Sequence, residues 1–344
     1  MNEIKVLEIT DLDEFNKKYY KAASVPKEVI TQSDWALDDF TQVHYDVKNI
    51  PSRGIMTGWR HVIRGLKIVE FNPTELCNRT CHFCPRYDPK VYPNRKLHMT
   101  PETVQAVVDE LVKHGYVGQI MFSGMGEPLL NRKILELIKI CSDAGIYTEM
   151  TTNGDKILQG KWYKMQDFID AGLTAMHVDI YDDVAQYQAW EKLIQPYIGK
   201  IRIKLTPRFV QTTSVFNNRS GKMNEVEGIP KQVRNQSCFA PSVKAFIDWD
   251  GEVQLCCHDW DKTGNFGNVN EIPFSEIWNS DKMNKLRAKL MYKSRVHAGS
   301  PCDKCNTGGN QKDKPYVDSS WKKHYNKEKK HILEYIRDYV KSTG

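Results

Sequence analysis

The stretch Lys67-Ile68-Val69-Glu70-Phe71-Asn72-Pro73-Thr74-Glu75-Leu76-Cys77-Asn78-Arg79-Thr80-Cys81-His82-Phe83-Cys84 decides how the rest of the chain is read. Lys67–Asn72 reads as a short buried strand. Behind it come three cysteines with three and then two residues between them. Such a loop supplies three thiolates, one fewer than the four that close an ordinary ferredoxin-type [4Fe–4S] cluster. The fourth iron is then open to a non-protein ligand, which suggests a cluster that does chemistry.

Downstream of this loop the chain settles into a rhythm. Thr100-Pro101-Glu102 opens a helix, with Thr as the cap, Pro at the first position and an acid in the first turn. Val104, Val107, Val108, Leu111 and Val112 form its apolar face and Gly115 stops it. Gln119–Ser123 is expected as a strand, Arg132–Ala144 as a helix ending at Gly145, and Ile146–Thr152 as a strand. Lys156–Ala171 reads as one helix, Thr174–Tyr181 as a strand, Val184–Gln195 as a helix and Lys200–Phe209 as a fifth strand. Alternation of this kind argues for βαβ units and a parallel sheet. A full eightfold barrel needs about 250 residues and only about 160 are available here. The expected fold is therefore α/β, a partial (β/α)6 barrel over residues 67–225, with a sixth strand nearby. Sites in such folds lie at the C-terminal ends of the strands, where the cysteine loop falls.

Past residue 225 the pattern changes. Phe246–Leu255 alternates around Asp250-Gly251, a strong hairpin signal. Phe274–Met291 reads as one helix, followed by a loop-rich stretch with Cys302 and Cys305. Residues 226–312 are thus expected to form a small hairpin-plus-helix domain built around metal ligands. Residues 1–66 form an N-terminal extension with a helical pattern near Asp11–Ala22. Its aromatics Trp35, Tyr45 and Trp59 are expected to cover part of a neighbouring domain. Residues 313–344 form a basic C-terminal helix: Ile332, Leu333, Ile336 and Val340 give it an apolar stripe. The lysines beside that stripe contribute to the formal charge of +6, which also leaves nucleic acid as a partner class.

The bulk numbers describe an ordinary soluble protein: 344 residues, 40% hydrophobic and 27% charged. No apolar run approaches the roughly 18–20 residues that span a bilayer. The polar start Met1-Asn2-Glu3 lacks a signal-peptide core, so a cytoplasmic location and no membrane partner are expected. With nine cysteines in clustered spacings, metal binding is then favoured over disulfides. Cys141 falls on the apolar face of a helix and reads as a core thiol.

Cys77, Cys81 and Cys84, with Phe83 before the last, resemble the signature of the radical S-adenosylmethionine (radical SAM) superfamily. That resemblance implies a [4Fe–4S] cluster whose open iron is chelated by the methionyl group of SAM. It also implies reductive cleavage of SAM to a 5′-deoxyadenosyl radical, which takes a hydrogen atom from substrate. Ser123-Gly124-Met125-Gly126-Glu127-Pro128 resembles the family's GGEP segment, although Met125 separates the two glycines. By resemblance Gly124, Gly126 and Glu127 bind SAM, and Thr151-Thr152-Asn153-Gly154 places Asn153 beside its ribose. Asp179 is a further ribose candidate, and Arg202 and Lys204 are candidates for the SAM carboxylate. A reducing flavodoxin or ferredoxin is the implied electron donor.

Five more cysteines follow. Cys238, Cys256, Cys302 and Cys305, with Asp250-Gly251, Gly267-Asn268-Val269 and Ile277-Trp278, resemble SPASM or shortened twitch domains, which hold auxiliary [4Fe–4S] clusters. Cys257 adjoins Cys256, and strand neighbours point to opposite faces, so one of the two is a ligand and Cys256 is favoured. A four-cysteine zinc site is the alternative. Two [4Fe–4S] clusters and SAM are thus the expected cofactors. Arg219 matches by position an arginine that serves dehydrogenase relatives as proton acceptor or substrate clamp. The resemblance implies oxidation of a small polar or sugar-like alcohol or amine, with the auxiliary cluster taking the second electron. A ribosomal-peptide maturase, a nucleotide- or nucleic-acid-modifying enzyme and a non-catalytic metal-binding module are the other readings.

Overall fold

The computed structural model describes residues 43–45, 63, 66–116, 118–208, 217–226, 229, 236–291 and 295–309. The expectations for Asp11–Ala22, the side chains of Trp35, Tyr45 and Trp59, and the basic tail 313–344 lie outside these residues.

Among the described residues eight strands form one sheet, in the order β1-β6-β5-β4-β3-β2-β7-β8. They are β1 (Val43–Tyr45), β2 (Ile68–Phe71), β3 (Gln119–Phe122), β4 (Tyr147–Thr152), β5 (Ala175–Ile180), β6 (Arg202–Pro207), β7 (Lys244–Ile247) and β8 (Val253–Gln254). The six from β2 to β7 run parallel. β1 lies antiparallel on β6 at one edge and β8 antiparallel on β7 at the other, so the sheet does not close.

Alternation along the strands divides the sheet into two faces. Val69, Phe71, Ile120, Phe122, Met150 and Val178 pack with residues of helices α1 (Pro101–Lys113) and α2 (Ile134–Asp143) in one core. Each large apolar side chain buried there contributes about 1.5–3 kcal/mol. Their neighbours Glu70, Asn72, Ser123, Glu149, His177 and Asp179 take the opposite face, which is polar. α1 starts as its sequence implies: Thr100 Oγ1 accepts from the Thr103 amide at 3.4 Å, and Gly115 ends the turn beyond Lys113 with φ +63°.

Three elements differ from the sequence-based expectation. The sixth parallel strand is β7, the first arm of the hairpin, which pairs with β2 in register from Ile68↔Lys244 to Phe71↔Ile247. The hairpin therefore extends the barrel sheet instead of forming a sheet of its own. Lys156–Ala171 is two helices, α3 (Asp155–Leu158) and α4 (Met165–Asp170). Gly160, in the left-handed region at φ +64°, stops the first, a helix-ending signal hidden by the surrounding periodicity. Phe274–Met291 is likewise α7 (Phe274–Trp278) and α8 (Asp281–Met291), because the Ser280 hydroxyl accepts from Met283 N and starts a new helix. Between them lie α5 (Val184–Ile194) and the short α6 (Ala240–Val243); α9 (Arg295–Ala298) follows α8.

Candidate functional site

The C-terminal ends of β2 to β5 carry four of the segments picked out from the sequence. β2 runs into the cysteine loop, β3 into Ser123–Pro128, β4 into Asn153-Gly154, and Asp179 sits near the end of β5. Parallel pairing brings these ends together, so positions far apart in sequence become neighbours.

The cysteine loop is braced on both flanks. Asn94 clamps Cys77, accepting from its amide at 2.8 Å and donating to its carbonyl at 2.9 Å. The Cys84 amide donates to the Cys81 carbonyl at 2.9 Å, which curls the last two cysteines into a turn. Arg79 forms a fork on Asp155 (2.8 and 2.6 Å) and reaches Asp182 at 2.6 Å. Asn78 donates to Asp155 at 2.7 Å and accepts from Asn153 Nδ2 at 3.0 Å. Asn153 therefore couples the β4 loop to the cysteine loop. Phe83 stacks on Tyr181 with ring centroids 6.0 Å apart, and the Arg79 guanidinium lies 5.3 Å from the same ring.

The glycine-rich loop is shaped by close approach. A Cβ at Gly126 would stand 2.0 Å from the Thr74 carbonyl, and one at Gly124, where φ is +109°, 2.7 Å from Asn72 Oδ1. Only glycine fits either place. The amides of Met125 and Gly126 both donate to Asn72 Oδ1, at 2.9 and 3.2 Å. Glu127 is buried, and both its oxygens are engaged within the protein. They accept from Thr152 Oγ1 at 2.5 Å, the Asn153 amide at 2.9 Å and the Leu129 amide at 3.1 Å. Glu127 is thus a brace between the β3 and β4 loops, not a group turned toward a ligand. Burial pushes its pKa up to about 7 against those hydrogen bonds.

Two arginines of this segment stand at opposite ends of β6. Arg202 opens β6 opposite Ala175, at the N-terminal end of the strands, and bonds Tyr147 Oη at 3.2 Å. It lies a whole strand, about 17 Å, from the end that carries the cysteine loop, so its assignment to the SAM carboxylate is corrected. Lys204, also on β6, is buried mid-strand. The basic group at the right end is Arg208, one residue beyond β6, whose Nε pairs with Asp179 at 3.0 Å. Its position after the last strand residue was the available signal. Asp179 also accepts from Tyr181 Oη at 3.4 Å.

The second cysteine set is gathered from three segments. Cys238, Cys256 and Cys302 share an apolar cluster with Leu255 and Leu290. The charges of Cys302 and Cys305 reach Cys256, and those of Cys238 and Cys305 reach Cys302. Cys257 turns the other way, toward Glu70, Lys244 and Arg219, and packs with Met125, Phe246 and Trp260. Arg295, 1% exposed, staples the set: it donates to the carbonyls of Gln236 at 3.0 Å and Thr307 at 2.8 Å. The loop of Arg219 is tied to the same region, since Asn218 donates to the Lys304 carbonyl and accepts from the Asn306 amide. Arg219 has φ +44° and its charge reaches Cys257 and His258. Arg208, Arg295 and the ion-paired Lys262 were not anticipated from the sequence.

Both sets fit iron. Burial, with the neighbouring charges of Glu127 and Cys84, pushes the Cys77 thiol up to about 11, and burial with Cys84 and Cys77 pushes Cys81 up to about 12. Burial and the neighbouring cysteines also raise Cys256 and Cys302. Buried thiols that repel one another as thiolates are stabilised by a bound cation. Among the described residues no three such side chains crowd one point as a mononuclear ion requires. Cys141 is a buried thiol on α2.

Comparison with known proteins agrees with this division. The radical SAM superfamily model matches residues 71–183, and the SPASM iron–sulfur cluster-binding domain matches residues 238–306. The chain is 25% identical over 269 residues to the S-adenosyl-L-methionine-dependent 2-deoxy-scyllo-inosamine dehydrogenase of Niallia circulans, covering 72% of this chain and 96% of that protein. It is 31% identical over 107 residues to the PqqA peptide cyclase of Bradyrhizobium diazoefficiens (strain USDA 110), covering 31% of this chain and 26% of that one. Among solved structures, BtrN in complex with AdoMet and 2-DOIA superposes with a TM-score of 0.59 at 24% identity, over 73% of this chain and 97% of that one. No helix among the described residues is long and apolar enough to cross a membrane.

Proposed function

The chain is a radical SAM enzyme with an SPASM domain, and from that premise we propose that it oxidises an alcohol or amine carbon of a small, polar, sugar-like molecule. The observation that carries this reading is the back-to-back placement of Cys256 and Cys257. Cys256 faces the other auxiliary thiols, while Cys257 packs with Met125 of the glycine-rich loop. One residue thus separates the auxiliary set from the wall of the barrel.

Cys77, Cys81 and Cys84 would hold the first cluster, and Cys238, Cys256, Cys302 and Cys305 the second. When bound, these groups and SAM supply a one-electron cleavage that yields a hydrogen-abstracting radical, together with an acceptor for a second electron. Electron counting then favours oxidation. Loss of one hydrogen atom leaves the substrate one electron short, and loss of a proton and a second electron gives a carbonyl or imine. The chain's own residues prepare the site: Arg79, Asn78 and Asn153 lock the cysteine loop to the β4 loop, and Phe83 of that loop stacks on Tyr181 after β5. Asn153, Asp179 and the Gly124–Gly126 backbone are the candidate SAM contacts. Arg219, on a loop fastened to the auxiliary segment, is the candidate substrate clamp or proton acceptor. The similarity to a dehydrogenase over most of its length supports the substrate class.

Anaerobically reconstituted protein should carry about eight irons per chain. After reduction, with SAM and the amino-cyclitol 2-deoxy-scyllo-inosamine or a panel of sugar alcohols, it should release 5′-deoxyadenosine and a product two hydrogens lighter. Products of unchanged mass, or turnover confined to peptides, would overturn the proposal.

A further inference from the structure

A buried ion network joins the auxiliary stretch to the glycine-rich loop, and one lysine sits at its node. Lys262 Nζ lies 2.7 Å from Glu75 Oε1 and also contacts Asp248 Oδ2. From Glu75 one arm continues through Arg86, which pairs with Glu75 Oε2 at 3.1 Å and donates from Nε to the Met125 carbonyl at 2.5 Å. From Asp248 the other arm continues through Asn72. Asn72 Nδ2 donates to Asp248 Oδ1 at 2.7 Å, and Asn72 Oδ1 accepts the amides of Met125 and Gly126. Both arms end on the same dipeptide. One fixes its carbonyl and the other its amides.

The charges balance only with the lysine present. Glu75 and Asp248 are 2% and 0% exposed, with Arg86 and Lys262 as their cations. A buried carboxylate that loses its cation is uncompensated and reorganises or takes up a proton. Asp248 would then hold Asn72 less rigidly, and Asn72 would hold the glycine-rich loop less rigidly.

The lysine is in turn placed by the auxiliary stretch. The Asp259 amide donates to the Cys256 carbonyl at 3.0 Å, and the Lys262 amide to the Asp259 carbonyl at 3.0 Å. The Asp259 carboxylate accepts from the Thr263 and Gly264 amides at 3.1 and 2.7 Å. Lys262 itself takes a left-handed φ of +53°. This tight loop starts on an auxiliary ligand and folds back over the cysteine loop, where Trp260 meets Tyr92 edge-on with centroids 4.7 Å apart.

We propose that Lys262 is a positioning residue of the SAM site: through Glu75–Arg86 and Asp248–Asn72 it sets the geometry of Met125-Gly126. The SPASM stretch is then a structural part of the SAM pocket as well as the holder of the second cluster. This rests on the reading that the Gly124–Pro128 loop binds SAM.

The test compares wild type, Lys262→Met, Lys262→Arg and the double variant Asp248→Asn/Lys262→Met as reconstituted full-length protein. Iron content, amide hydrogen exchange in residues 123–128 and SAM affinity by calorimetry are measured. Lys262→Met should keep about eight irons per chain. Its 123–128 amides should exchange about tenfold faster or more and SAM should bind about tenfold more weakly, as for other outer-shell losses. Lys262→Arg should restore both to within about threefold, since it keeps the charge. Exchange and SAM affinity within about twofold of wild type in Lys262→Met would overturn the proposal. If that variant loads no iron, the double variant decides, because it removes the uncompensated carboxylate along with the lysine: it should bring exchange in 123–128 back toward wild type, and exchange as fast as in Lys262→Met overturns the proposal equally. Wild type that binds no SAM sinks the underlying reading instead, and the exchange measurement, which needs no SAM, still tests Lys262.

Discussion

Cys77, Cys81 and Cys84 fall within a single loop, whereas Cys238, Cys256, Cys302 and Cys305 come from three separate segments. The first set is held by local contacts, such as the Asn94 clamp on Cys77 and the turn from Cys81 to Cys84. Its outer braces reach the segments after β4 and β5 through Asp155 and Asp182, and a single lysine of the auxiliary stretch, Lys262, on Glu75. The second set is brought together where β7 pairs with β2 and Arg295 ties the chain near Gln236 to the chain near Thr307. A loop of consecutive residues can present its thiols whenever the barrel is folded. A set collected from distant segments depends on the whole C-terminal stretch. On the proposed assignment, the open cluster, which has to admit SAM, would sit on the locally determined frame. The closed one would sit on a frame drawn from segments far apart in sequence.

The comparison breaks or holds on which activity each set supports. Cys81→Ala carries the largest expected effect: 5′-deoxyadenosine release should fall to background, and iron should drop from about eight to about four per chain. Residual turnover would show that two thiols of the loop suffice. Cys302→Ala should lose a similar share of iron yet still cleave SAM slowly, with no two-electron-oxidised product. Equal loss of SAM cleavage in both variants would erase the functional contrast between the two sets. A finer contrast concerns adjacent thiols. Cys256→Ala should shed about four irons, while Cys257→Ala should keep about eight, because only Cys256 faces Cys302 and Cys305. Iron analysis of the purified, reconstituted variants separates the two outcomes.

The same contrast explains what could be read from the chain beforehand. The first cysteine loop, the Gly-Glu-Pro turn and the Asn153 segment declare themselves within a few residues, so spacing and strand rhythm place them. The five strands from β2 to β6 were legible for the same reason. β7 was visible as a hairpin arm, but no local signal told that it would pair with β2, because the partner lies far away in sequence. Lys262 and Glu75 are 187 residues apart, and a lysine in a loop reads as solvated until its partners are known. Arg202 misled because side-chain alternation gives the face of a strand and not its end. In a parallel sheet the end matters, and Arg208, just past Pro207, occupies the one that carries the loops. Glu127 stands in the expected loop but braces it instead of facing a ligand. A motif marks where a residue sits, while its hydrogen bonds show what it holds.

Glu127 also yields the smallest expected effect, and one that depends on burial instead of on iron. Its carboxyl is raised from 4.5 to about 7, first by burial, with Asp155 adding repulsion, while Asn153, Thr152 and Leu129 oppose the shift. Because the folded-state value lies above the unfolded one, the native state binds the proton more tightly. Stability associated with this group is therefore complete below about pH 4.5 and is lost as pH rises toward 7. A shift of this size corresponds to on the order of 3 kcal/mol across that window. Glu127→Gln removes the titration. Its amide oxygen still accepts from Thr152, but its NH2 group faces the Asn153 amide, a fixed penalty that does not vary with pH. Thermal or denaturant unfolding of wild type and Glu127→Gln between pH 5 and 8 should therefore show wild type losing ground as pH rises, with the gap levelling above about pH 7. A gap that stays constant across the window would mean that the carboxylate is fully compensated by its three donors. The brace between the β3 and β4 loops would then be as secure charged as neutral.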